Sequence, residues 1–145
     1  MDNLTWLTLP AELASLQPAT EFLRQGAVAA CMSGEDCAKL DLVVEELVVN
    51  IARYGYTDGI EGQVHLGYHV GEPGLLTVQI CDSGVEFNPF HADPPDFGRG
   101  LSDRPIGGLG IFLVQSIAES IGYERKEDRN VISFRMRSGE REELG

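Results

Sequence analysis

The sequence contains no stretch approaching the roughly 18 apolar residues that a membrane-spanning helix requires. Its first residues, Met1 to Pro10, carry neither a basic flank nor a long apolar run, so neither secretion nor membrane insertion is expected. Cysteine is scarce as well. Cys31, Cys37 and Cys81 are odd in number and lack metal-ligand spacing, so they read as reduced thiols in a cytoplasmic protein.

Cations are the third shortage. Eleven Lys and Arg stand against 23 Asp and Glu, a formal net charge of −12, and no basic stripe is present. Nucleic-acid binding depends on cations that displace counterions from phosphates, so direct contact with nucleic acid is not expected. Any role in transcription would run through a protein. The same acidity repels a nucleotide's phosphates at long range, so a nucleotide site here needs backbone donors, a divalent cation and a local arginine.

What is present is ordinary for a globular protein. The 145 residues are 43% hydrophobic and 23% charged, enough for one domain with its own core. Alternation predicts a strand from Leu4 to Leu9, ended by Pro10. A helix is predicted from Pro18 to Met32, and a stronger one from about Asp36 to Tyr54, where Leu40, Val43, Val44, Leu47, Val48 and Ile51 recur at helical spacing. Gln63 to Val70 and Leu75 to Cys81 read as an antiparallel hairpin. The segment Phe87 to Gly107, rich in proline and glycine, has no sustained period and is expected to be a lid or binding loop, mobile without its ligand. Helical spacing returns from Gly110 to Ile121. Two closing strands, near Tyr123 to Lys126 and Asn130 to Arg137, are joined by the turn-like pair Asp128 and Arg129. The expected domain covers residues 1–137, with 138–145 a loose polar tail. No internal repeat is visible.

Three constellations could carry chemistry. Glu46 and Asn50 are four positions apart, about 40° on a helix, so both heads point the same way at the border of the apolar stripe. Glu45 falls on the other side. Asparagine offers a neutral oxygen to Mg²⁺ and a neighbouring glutamate can accept a proton, although the pair would equally suit a solvated face. Cys81-Asp82-Ser83-Gly84 stands at a predicted strand end, where Asp82 could accept from an exocyclic amine and Gly84 could admit a planar ring; an ordinary turn is the competing account. Arg104-Pro105-Ile106-Gly107-Gly108-Leu109-Gly110 leads into a helix, so free N–H groups could converge on a phosphate, with Arg104 as a mobile cation; a plain hinge is the competitor. Neither the dinucleotide fingerprint nor the Walker pattern fits these glycines.

The order and spacing of the three are more specific than any one alone. E-x-x-x-N on a helix, D-x-G at a strand end, a long lid and G-x-G opening a helix resemble the GHKL, or Bergerat-fold, ATPases over nearly the whole chain. Glu45-Glu46-Leu47-Val48-Val49-Asn50 with Gly55-Tyr56, Asp82-Ser83-Gly84 with Phe87-Asn88-Pro89, and Gly107-Gly108-Leu109-Gly110 are similar to the anti-sigma-factor serine/threonine-protein kinases of bacterial stress and sporulation pathways. Ile51 and Tyr54 depart from the alanine and histidine often found after the asparagine, and Glu86 replaces a usual second glycine.

The resemblance implies an α/β two-layer sandwich, with helices on one face of a mixed, mostly antiparallel sheet. It implies ATP and Mg²⁺ as cofactors: Asn50 on the metal, Glu46 as general base, Asp82 reading adenine, Gly84, Gly108, Leu109 and Gly110 along the nucleotide, and Arg104 at the terminal phosphate. The implied partners are a small anti-sigma-factor antagonist bearing the acceptor serine, a sigma factor, and a second copy in a homodimer. Sensor histidine kinases share the ATP module but add a helix with the phosphorylated histidine, whereas His65, His69 and His91 here lie on a strand or in the lid. A binder that holds its partner without phosphotransfer is the other alternative.

Overall fold

A computed structural model describes residues 3–56, 61–71, 74–91 and 109–138. Strand β1 (Thr5–Pro10) leads through a 3₁₀ turn at Leu13–Ser15 into α1 (Leu16–Ala29) and then α2 (Gly34–Asn50). Strands β2 (Gln63–Val70) and β3 (Leu75–Asp82) follow. A 3₁₀ turn at Pro89–His91 comes next, and further along the chain are α3 (Leu109–Ile117), β4 (Ala118–Lys126) and β5 (Arg129–Arg137). The strands form one sheet in the order β1-β2-β3-β5-β4. All four pairings are antiparallel, so the parallel component that a mixed sheet would contain does not occur among the described strands.

Local chemistry explains the helix starts. Pro18 falls in the first turn of α1, where its missing N–H costs nothing. Ser33 caps α2, its hydroxyl accepting the Asp36 N–H at 3.0 Å, and Glu35 and Asp36 sit where the helix dipole favours acidic side chains. The end of α2 differs from expectation. The α-helix stops at Asn50, and Ile51–Gly55 widen into a π turn that carries the chain to Tyr56.

Burial divides the molecule into two layers. Leu40, Val43, Val44, Leu47 and Val48 of α2 pack with Leu23 and Ala27 of α1 onto Leu66, Leu76, Val78, Ile80, Ile132, Phe134 and Met136 of the sheet. All of the helices pack on this one face, and α3 lies beside α2 with Val114 buried. On the other face Trp6 lies flat over Gly67, where an added Cβ would come within 2.8 Å of the indole.

The C-terminal third corrects two expectations. Helical spacing continues to Ile121, yet α3 ends at Ile117 and β4 begins at Ala118, five positions before the predicted strand. The nine residues of β5 present a full edge, and residues 118–122 satisfy their backbone there, with a bulge between Ala118 and Ser120. Glu119 adds a two-point contact to Arg137 at 2.9 and 3.1 Å. The hairpin turn is Glu127-Asp128, with φ of 53° and 66°, so the loop is of the type with two left-handed residues that matches strand twist.

Leu66 is fully buried whereas Leu42 is 53% exposed on α2. Leu66→Ala is expected to cost about 2–5 kcal/mol in equilibrium denaturation. Leu42→Ala should stay within about 0.5 kcal/mol of the parent.

Candidate functional site

Helical spacing does bring Glu46 and Asn50 together, for the Asn50 amide nitrogen donates to Glu46 Oε2 at 3.0 Å. Both side chains are half-buried at the end of α2. Glu45 is exposed and lines a shallow groove with Leu13, Gln17 and Asp41 on the α1 side. Adjacent glutamates therefore serve different faces. With its nitrogen turned to Glu46, Asn50 could offer its oxygen to a hard cation, and a carboxylate one turn away could accept a proton.

Asp82 ends β3 almost completely buried, at 3% exposure. Its Oδ2 accepts the Gly84 N–H at 2.8 Å and the Asn130 amide at 3.2 Å, while Oδ1 has only a longer contact to the same amide, 3.4 Å. A carboxylate has about four acceptor positions, so capacity remains for an amine donor. The chain then turns at Gly84. A Cβ there would lie 2.2 Å from the Gly55 carbonyl oxygen and 2.9 Å from Asp82 Oδ2, so no other residue fits this approach. The next residue, Val85, donates its N–H to the same Gly55 carbonyl at 2.7 Å.

Gly55 is the last residue of the π turn that begins one residue after Asn50. The Asp82 turn is thus docked on the end of the helix that carries Glu46 and Asn50. Tyr56 completes the junction: its hydroxyl accepts the Ser83 N–H and donates to the Gln63 carbonyl, each at 2.9 Å.

The third constellation is placed in part. Leu109 and Gly110 are the first residues of α3, which packs beside α2. Arg104 and Gly108, and most of the expected lid, lie outside the described residues. Among the described residues, no group of three or more His, Cys, Asp or Glu could hold a metal ion. A cation at Asn50 would depend on phosphate oxygens and water for its other ligands, the usual arrangement for Mg²⁺ beside a nucleotide. The neutral oxygen of Asn50, the partly unfilled carboxylate of Asp82 and the close backbone at Gly84 fit Mg-ATP. The cysteines stand apart from this chemistry: Cys37 and Cys81 are buried, and burial pushes the Cys81 thiol up, which keeps it protonated.

Sequence reasoning did not single out Asn130, Tyr123 or Arg125, and named Tyr56 only beside Gly55, without a role. Asn130 could have been found from alternation, because it shares the inward face of β5 with Ile132, Phe134 and Met136 and stands directly opposite Asp82.

The family model of the histidine kinase-like ATPase domain matches residues 9–136, and the chain belongs to that family. Among curated proteins it is similar to the serine/threonine-protein kinase BtrW of Bordetella bronchiseptica, 26% identical over 66% of this chain and 66% of the relative. It is also 26% identical to the serine-protein kinase RsbW of Listeria innocua, over 90% of this chain and 85% of the relative. Among solved structures, the RsbU and RsbW domains of a Mycobacterium tuberculosis protein superpose with a TM-score of 0.63 at 13% identity, covering 94% of this chain and 32% of that one. That likeness concerns the fold alone. The chain spans about a third of that solved chain and just under two thirds of BtrW.

Gly84→Ala is expected to push the turn off Gly55, since the obstructing atom is backbone oxygen and cannot rotate away. A loss of about 1–3 kcal/mol in a denaturation curve is the expected overpacking cost. An unchanged curve would mean that the turn relaxes freely.

Proposed function

We propose that this protein is a Mg-ATP-dependent protein-serine/threonine kinase acting as an anti-sigma regulatory factor. The observation that carries the reading is the Glu46–Asn50 pair on one face of α2, with the Asp82–Gly84 turn seated on the end of the same helix. The kinase relatives and the family match support it.

Bound Mg-ATP supplies the terminal phosphoryl group and a cation that offsets its charge. The protein's own residues divide the remaining work. Asp82 accepts the adenine amine, and Gly84 leaves room for the ring. Asn50 would hold the cation through its amide oxygen, and Gly108, Leu109 and Gly110 at the start of α3 would supply N–H groups to the phosphates. Arg104 supplies the local positive charge that a chain of net charge −12 otherwise withholds. Glu46 would take the proton as the acceptor serine hydroxyl attacks the terminal phosphorus, the bond to the β-phosphate breaking and ADP leaving. The substrate is a small anti-sigma-factor antagonist, the sequestered partner is a sigma factor, and the kinase works in the cytoplasm as a homodimer. No helix among the described residues is long and apolar enough to cross a membrane.

Two measurements test this. Mg-ATP at about a hundred times its dissociation constant should stabilise the protein by about 2.7 kcal/mol. A thermal melt unmoved by millimolar Mg-ATP, in nucleotide-free protein, would count against the reading.

The second separates kinase from passive binder. Glu46→Gln should retain ATP while phosphotransfer to the antagonist falls by about 10²- to 10⁴-fold, the range for losing a positioned base. Asn50→Ala should weaken Mg-ATP binding itself. Glu45→Gln, on the other side of the apolar stripe of α2, should behave as the parent. Equal phosphotransfer by the Glu46 and Glu45 variants would place the base elsewhere, and none by the parent would favour sequestration without catalysis.

A further inference from the structure

Asn130 is buried to 3% exposure, and beyond the backbone pairing of β3 with β5 its side chain hydrogen-bonds Asp82, Val85 and Phe87 of the turn. Its Oδ1 faces three donors: the Phe87 N–H at 3.2 Å, the Tyr123 hydroxyl at 2.6 Å and an Arg125 Nη1–H at 3.2 Å. Backbone N–H and guanidinium groups cannot accept a hydrogen bond. The amide therefore has one permissible orientation, with its oxygen toward these donors and its NH₂ toward Asp82 and the Val85 carbonyl, 2.8 Å away. Burial, with Glu86 nearby, pushes the Tyr123 hydroxyl up, so it remains protonated. Arg125 also donates to the Gly84 carbonyl at 2.9 Å, gripping the turn from its other side.

We propose that Asn130, locked in one orientation by Tyr123 and Arg125, is the positioning residue of the nucleobase site and thereby a determinant of selectivity for an amine-bearing base. The inference rests on the ATP reading of Asp82 and deepens it. The amide holds Asp82 from one side, so the remaining acceptor position on the carboxylate points along a fixed direction. A free carboxylate could rotate to meet other donors or water. The lock originates on β4, at the sheet edge, where neither Tyr123 nor Arg125 belongs to the three sequence constellations.

The test uses full-length protein with ATP and with inosine triphosphate, which carries a carbonyl oxygen in place of adenine's amine. Asn130→Asp places a second carboxyl 3.2 Å from Asp82 Oδ2. Protonated, it can donate one hydrogen bond to Asp82 in place of the amide's, giving up the one to Val85; ionised, it repels Asp82. Relative to the parent at each pH, its ATP affinity should therefore fall by about tenfold or more between roughly pH 5.5 and 8. Arg125→Met leaves Asn130 in place but removes one donor from its oxygen and one from Gly84. It should lower the preference for ATP over inosine triphosphate by about three- to tenfold, the effect of one modest hydrogen bond. A purely structural role would weaken both nucleotides alike. If the parent binds no ATP, the functional reading fails and this proposal with it. If the parent binds ATP but Asn130→Asp follows it at every pH, or Arg125→Met keeps its preference, the positioning role alone is overturned. Should Asn130→Asp not fold, the Arg125→Met ratio decides.

Discussion

The contact between the Asp82–Gly84 turn and the Gly55 carbonyl is the constraint on which the rest of the site depends. A buried carbonyl at a helix end needs a donor, and Val85 supplies it at 2.7 Å only because Gly84 brings its backbone so close. The wider π turn at Ile51–Gly55 delivers that carbonyl to the sheet. Without this contact, the tie between the Asp82 turn and the end of α2 would be the Tyr56 hydroxyl on the Ser83 N–H, although Asn130 and Arg125 would still hold the turn from the sheet side. With it, a helix end and a strand end share one rigid junction, further tied by Tyr56.

Electrostatics constrains what the same junction could hold. A chain of net charge −12 repels polyanions at long range, so an anionic ligand has to be recognised by close, directional contacts. The described part of the site follows that logic. Asn50 contributes a neutral oxygen, Asp82 is restrained by N–H donors, and the nearby guanidinium of Arg125 is committed to the Gly84 carbonyl and Asn130. A buried polar network of this kind is stable only when nearly every member is satisfied, and here the donors on Asn130 Oδ1 and the acceptors of its NH₂ are accounted for.

Much of the fold was legible because its signals are local. The stripe from Leu40 to Val48 repeats at helical spacing, and the two strands read as Gln63 to Val70 and Leu75 to Cys81 are found as Gln63–Val70 and Leu75–Asp82. The errors fall where local preference competed with a distant partner. Ala118 to Ile121 continue the helical pattern of α3, but the open edge of β5 takes them as strand. Ile51 to Gly55 continue the pattern of α2, but the docking of Val85 on Gly55 accompanies a wider turn.

By itself, then, the sequence determined the identity and spacing of the groups proposed to carry chemistry: a carboxylate and an amide one helical turn apart, an aspartate at a strand end, and glycines before a helix. Spacing within one element is set by covalent geometry, which needs no tertiary structure. Only the tertiary structure decided which of them meet. That Asp82 lies against the end of α2, and that an asparagine 48 positions later holds it from across the sheet, follows from the β3–β5 register, which pairs Asp82 with Asn130. Register is set by the burial of a whole strand face against the helices, a collective quantity that no short motif contains.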